Sequence, residues 1–371
     1  MLTFSTLAFF YKRSELAYRV GLQISAAPLA TSFASSLAWV IVKLSQDGPI
    51  EPWRVLLLVE GFPSIFTAIA AYYFIPDTPS TARYLTLRER KVATLRLQSL
   101  DAPHTETEPQ LSSLALILRT LISPISLLPA LMFLSINVAF ASLPVFLPTI
   151  IASMSFSPLT SQALSAPPYL FAFFSVLLIG HHSDRANSRS AYLLFTSVLS
   201  GLSYATIAFT GYLSSTDTID EITSISIRYL AIYPAAIGLF SSVVLIITWS
   251  LNNQQSSTAR GAGLTILNIV GQCGPLIGVR LFPKDEGPYY VKGMAVSAAF
   301  MAAVAVLSLG LRLYLQRLNA RLHGLGEYEM VHGRKDARTE EQERLVVEVE
   351  EMMSPDEQAQ PDGPERFRYM L

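Results

Sequence analysis

Thiols are almost missing from this chain. Of its 371 residues only Cys273 is a cysteine, which excludes a disulfide framework and a multi-thiolate metal site. Charge is scarce too: 15% of residues are charged and the formal net charge is −1, with the charges in short, separated clusters. A nucleic-acid partner is therefore not expected, because phosphate binding needs a concentrated basic patch. Neither H-E-x-x-H nor G-x-S-x-G occurs, and all five histidines fall outside the long apolar runs, so neither an enzyme nor a cofactor is expected. The apolar Met1 to Tyr11 lacks a basic leader and an A-x-A-like cleavage site, which argues against a signal peptide.

What the chain has in surplus is apolar surface. Hydrophobic residues make up 51% of it and the mean hydropathy is +0.40, too much to hide in a water-soluble core, so the excess must face lipid. Stretches of about 20 apolar residues match a hydrocarbon core about 30 Å thick. Such stretches run from Val20 to Val42, Val55 to Phe74, Ile125 to Leu147, Ser161 to Gly180, Ala191 to Leu213, Tyr229 to Leu251, Ala262 to Phe282 and Gly293 to Tyr314. The runs are continuous rather than alternating. That predicts an all-α transmembrane bundle, since each helix satisfies its own backbone in lipid, and rules against barrel strands.

Charges in the connections alternate in density. One side collects Lys12, Arg13, Arg19, Arg83, Arg88, Arg90, Lys91, Arg96, Arg119, Arg185, Arg189 and Arg260; the other holds Lys43, Arg54, Arg228, Lys284 and Lys292, partly offset by acidic neighbours. Positive-inside bias makes the first side, and with it the C-terminus, cytoplasmic. The long connection divides the chain into residues 1–74, a central loop 75–124, a six-helix unit 125–314 and a polar tail 315–371. Thr81 to Leu97 reads as an amphipathic helix, suited equally to a headgroup surface or to a solvated linker. Asp101 to Gln110 reads as a flexible stretch, and Glu340 to Glu351 as an acidic run.

Several segments, in order, carry a family resemblance: YKRSELAYRVGLQISAAPLA, EPWRVLLLVEG, IPDTPSTARYLTLRERKVATLRL, INVAFASLPVFLPTII, LSAPPYLFAFF, GHHSDRANSRS, TWSLNN, LTILNIVGQCGPLIG, FPKDEGPYYVKG and the terminal FRYML. Together they resemble the fungal anion:cation symporters, the major facilitator branch that includes allantoate, nicotinate and pantothenate permeases. The resemblance implies a major facilitator type bundle of eight full spans plus a partial helix. Met1 to Tyr11 would align with the end of the family's fourth helix, so helices one to three would lie outside this chain. It implies alternating-access symport of a small organic, anionic solute such as a carboxylate or vitamin, with a proton as coupling ion and the plasma membrane as location. The alternative expectation is a truncated, non-transporting membrane protein. Nothing in the sequence addresses oligomeric state.

Candidate residues follow from chemistry at depth. Glu60 is the single acidic residue inside a predicted span, and a carboxyl there suits proton coupling; a solvated carboxylate or a pair with Arg54 is the plainer reading. Asn137, Tyr169, Tyr233, Trp249, Asn252, Asn253, Asn268 and Gln272 are polar groups in or at the ends of spans, able to bind solute or join helices. The resemblance favours Asn137 and Tyr233 as cavity-lining, and the substrate-binding set is Asn137, Tyr169, Tyr233, Trp249, Asn253 and Asn268. Arg280 is a weak candidate partner for an anion. Pro167 and Pro168 free backbone carbonyls and bend their helix. Gly261, Gly263, Gly271, Gly274 and Gly278 offer small surfaces for close helix contact. Gly180, Asp184, Arg185 and Arg189 resemble the family's cytoplasmic loop latch, with the glycine allowing reversal and the Asp favoured by a helix N-terminus. His181 and His182 beside Asp184 make a poor cage, so no metal is expected.

Overall fold

Backbone groups in hydrocarbon have only each other as partners, and the chain answers with helices. The computed structural model describes residues 13–44, 50–76, 82, 84–98, 113–152, 156–186, 188–254 and 257–331. Its helices are α1 (Arg13–Leu44), α2 (Pro52–Phe74), α3 (Leu87–Gln98), α4 (Ser113–Ile122), α5 (Pro124–Ala152), α6 (Pro158–Arg185), α7 (Ser190–Ser215), α8 (Glu221–Asn252), α9 (Ser257–Gly271), α10 (Gly274–Gly278) and α11 (Val291–Val331). Among the described residues eight segments are long and apolar enough to cross a membrane, and each coincides with one of the eight runs read from the sequence. Met1 to Tyr11, Asp101 to Gln110 and Glu340 to Glu351 lie outside the described residues.

Helices α5 to α11 pack as one bundle, with α7 against α8 and α11, and α5 against α9, α10 and α11. The α7–α8 seam is made by small residues. Gly238 lets the helices approach until an added Cβ would lie 2.4 Å from the Thr196 carbonyl. Closeness of this kind allows side-chain hydroxyls to bond across the seam: Thr196 to Ser242 at 2.8 Å, and Ser200 to the Ala235 carbonyl at 3.1 Å. Apolar packing fills the middle around Phe240, Leu143, Tyr204, Met301 and Trp249.

Helix α1 lies on this bundle, against α6 and α8. Its inner face carries Val20, Gly21, Ser25, Pro28, Ser32 and Ile41, a helical stripe, while Leu29 and Phe33 on the other side are exposed. Helix α2 touches α1 and buries none of its residues. It starts on Pro52, with Glu51 accepting from the Trp53 indole at 2.7 Å and pairing with Arg54 at 3.4 Å.

Four expected boundaries shift. Helix α8 begins at Glu221, two turns before the apolar run, and so takes in Arg228, which the sequence had put in a connection. The span from Ala262 breaks between α9 and α10, and α11 continues past Tyr314 to Val331. The helix expected from Thr81 starts at Leu87, because Thr86 forms a reciprocal cap with Glu89: the Thr86 N–H donates to the Glu89 carboxylate at 2.7 Å and the Glu89 N–H to the Thr86 hydroxyl at 3.3 Å. The Thr86 backbone N–H, then its hydroxyl, hold the Glu89 carboxyl below its ordinary pKa. Stability from this cap is thus present above the ordinary glutamate value and lost as pH falls through the lowered one. Thr86→Ala keeps the backbone N–H and removes the hydroxyl, so it is expected to move the Glu89 midpoint upward in part in an NMR titration; an unchanged midpoint would show that the hydroxyl adds nothing to the backbone bond.

Candidate functional site

Pro167 and Pro168 sit side by side inside α6. Proline has no N–H, so the carbonyl four residues earlier loses its helical donor. For Pro168 that carbonyl belongs to Leu164, and the Tyr229 hydroxyl of α8 donates to it at 3.0 Å. Two residues on, Ser32 of α1 donates to the Ala166 carbonyl at 2.9 Å. Three helices therefore meet at the double proline.

Aromatic rings surround this node. The Tyr233 hydroxyl is 3.2 Å from that of Tyr229, and its ring stands edge-on to Phe171 with centroids 5.5 Å apart. Tyr169 follows the prolines but turns inward: it is 1% exposed, edge-on to Phe240 at 5.9 Å. The Tyr169 hydroxyl has no hydrogen-bond partner among the described residues, so it is a polar atom held in the aromatic core. Tyr169 and Tyr233 thus share the α6–α8 seam, one inside it and one at its edge.

Asn137 serves a second interruption. Gly271 lies four residues before Pro275, and its carbonyl, left without a helical donor, receives the Asn137 amide at 3.2 Å across the α5–α9 contact. Gly274 and Gly278 allow this approach, since a Cβ on either would lie 2.4 Å from a carbonyl of α5. The expected close-contact role holds for Gly271, Gly274 and Gly278; Gly263 faces the Gln254 side chain, and Gly261 has open space around it. Asn268 turns back on its own helix, donating to the Leu264 carbonyl at 2.8 Å. Gln272 and Cys273 are exposed at the break.

Trp249, Asn252 and Asn253 are buried at the end of α8, away from the double proline, where Asn253 caps the helix. Gln254 beside them donates to Ser126 at 3.0 Å and ties α8 to the start of α5. The six expected substrate residues therefore divide among an aromatic seam, a helix break and a buried helix end.

The loop motif forms a pair, though not by the expected route. Asp184 is in the last turn of α6, where the helix dipole disfavours a carboxylate, and Arg189 at the start of α7 bonds it. Arg189 is fully buried and also donates to the Ser183 hydroxyl at 2.8 Å. Burial draws its pKa below the ordinary arginine value and Asp184 opposes that shift. Arg185 is exposed, and the reversal occurs after it rather than at Gly180, which is inside α6 with open space at its Cβ position.

Glu60 is exposed on α2, and Arg54 pairs with Glu51 instead of with it. Arg280 is likewise exposed, just beyond α10. Sequence reasoning missed Tyr229, Ser32, Gln254 and the buried Arg228, which donates to the Pro288 carbonyl at 3.3 Å and lies over the Tyr289 ring at 5.5 Å. The one available signal was the demand itself: each proline inside a span calls for a donor from elsewhere.

The sequence that builds this bundle has relatives among known proteins. Residues 2–283 match the family described as the Major Facilitator Superfamily. Curated relatives include the MFS transporter prlL of a fungal species (strain NRRL 50135), 29% identical over 83% of this chain and 60% of that protein. An uncharacterized transporter of Schizosaccharomyces pombe is 26% identical over 83% of this chain and 58% of its own. The major facilitator-type transporter hxnP of Emericella nidulans is 24% identical over 78% and 56%. The chain thus spans about 60% of the length of such relatives. Eight apolar spans and a family match covering most of the sequence make this an integral, multi-pass membrane protein that belongs to the Major Facilitator Superfamily.

Proposed function

We propose that this protein takes part in symport of a small organic anion, with a proton as coupling ion, across the plasma membrane by alternating access. The observation that carries the reading is the way α1 is laid across α6 and α8 at the double proline, fastened by the Ser32 bond to the Ala166 carbonyl. Alternating access needs two bodies that rock against each other around a midplane site, and such a seam must be close yet held by few polar bonds. In this reading residues 1–74 belong to the first body and residues 125–314 form the second, joined by the loop 75–124. The end bearing Arg189 faces the cytoplasm, in keeping with its basic connections. Support for an anion, and for the allantoate-permease branch, comes from the sequence resemblance; transport of a small solute is supported by the names of the relatives. Tyr233, at the edge of the α6–α8 seam, is the side chain best suited to meet solute, Asn137 being committed to the Gly271 carbonyl, and Glu60 is the proposed proton carrier.

Uptake of labelled mono- and dicarboxylates into proteoliposomes holding the purified protein, with an imposed pH gradient, tests this. Accumulation that collapses on adding an uncoupler is expected. A folded protein that binds but never accumulates any of them would replace the reading by a non-transporting one. Gradient-driven uptake unaffected by Glu60→Gln would remove that residue from coupling and leave the rest standing.

A further inference from the structure

Prolines lie inside several helices of the second body, and at two places the carbonyl that proline deprives is met from another helix. In α6 the carbonyl deprived by Pro168 takes the Tyr229 hydroxyl of α8 at 3.0 Å. Between α9 and α10 the carbonyl deprived by Pro275 takes the Asn137 amide of α5 at 3.2 Å. An unsatisfied carbonyl in hydrocarbon is costly, so each interruption is stable only while its donor helix stays docked. We infer that Tyr229 and Asn137 are positioning residues that cap these carbonyls and thereby hold α6 at its double proline and the chain at the α9–α10 break. The inference deepens the alternating-access reading and rests on it for its meaning in a transport cycle: the caps would tie these two points to the docking of α8 and α5.

Each cap has a setting that fits this role. Tyr229 already shares a hydrogen bond with the Tyr233 hydroxyl of its own helix at 3.2 Å, so its hydroxyl keeps a partner if it leaves the Leu164 carbonyl. Asn137 cannot move off easily, because Gly274 brings the two backbones together; a Cβ there would lie 2.9 Å from the Asn137 Cβ. The first is built as a releasable cap and the second as a fixed one. Ser32 of α1 reaches the same turn of α6, so the releasable cap lies where the two proposed bodies touch.

The test is a double-mutant cycle that needs no transport assay. Tyr229→Phe keeps the ring and removes the donor, and is expected to lower the melting temperature in detergent by about 3 °C, the scale of one net hydrogen bond. Pro168→Ala restores an N–H for the Leu164 carbonyl, so in that background Tyr229→Phe is expected to cost under about 1 °C. The same non-additivity is expected for Asn137→Leu with and without Pro275→Ala. Equal losses in both backgrounds would overturn the caps. Isotope-edited infrared spectroscopy at the Leu164 carbonyl supplies a second readout if a variant folds poorly: its band should move to higher frequency in Tyr229→Phe, and a stationary band also overturns the assignment. Coupling that holds in a protein with no uptake would count against transport and leave the caps in place.

Discussion

Asp184→Ala is expected to lower the melting temperature of the solubilised protein by roughly 10 °C, which corresponds to about 3 kcal/mol or more for breaking a buried pair from one side. The size follows from what is left behind. Arg189 has no exposed side-chain surface, and without Asp184 its charge keeps the Ser183 hydroxyl as a neutral partner. The converse change, Arg189→Met, is expected to cost less, because Asp184 retains 13% exposure and can be reached by water. Combining the two removes both charges, so the double variant should recover much of the loss from Asp184→Ala. Thermal melts of the three variants decide the matter: a shift under 2 °C for Asp184→Ala would mean that Arg189 draws its compensation from elsewhere.

Gly238→Ala should be the other large effect, a fall of roughly 6 °C from overpacking worth about 2 kcal/mol. A methyl group at this position would lie 2.4 Å from the Thr196 carbonyl and 2.7 Å from the Ser200 Cβ, and a backbone carbonyl cannot swing aside as a flexible side chain can. Helices α7 and α8 would have to separate, and the Thr196–Ser242 and Ser200–Ala235 bonds would lengthen with them. Gly61→Ala is the matched control. Nothing lies within 4 Å of a Cβ at Gly61, so the change should be neutral or slightly stabilising through helix propensity. Similar melts for the two variants would mean that the α7–α8 seam can yield.

Membrane spans were legible because hydropathy over about 20 residues is a local quantity. The true start of α8 was not, since Arg228 looks like a loop residue until the Pro288 carbonyl and the Tyr289 ring arrive from sixty positions away to receive its charge. Glycines show the same division. Gly271 and Gly274 read correctly as contact points, whereas Gly261 in the same run meets nothing, and only the facing helix separates the two cases. Among candidate functional residues, the prolines announced that carbonyls would need donors, but the identity of the donors, Tyr229 and Asn137, is a product of packing between helices far apart in sequence. Asp184, Arg185 and Arg189 were recognisable as a cluster, and the fold singles out Arg189 as the partner of Asp184 while Arg185 stays exposed. The wrong element there was the dipole, which opposes Asp184 at the end of α6 and so gives Arg189 more to offset.

Cys273 gives the break between α9 and α10 a use outside the cell. The chain's single thiol is exposed on the turn that separates Gly271 from Pro275. A maleimide dye or spin label added to the unmodified protein therefore attaches at one place, on the break itself, with no cysteine to remove first. Emission or line shape recorded through a solute titration would report whether the surroundings of the break change when solute binds.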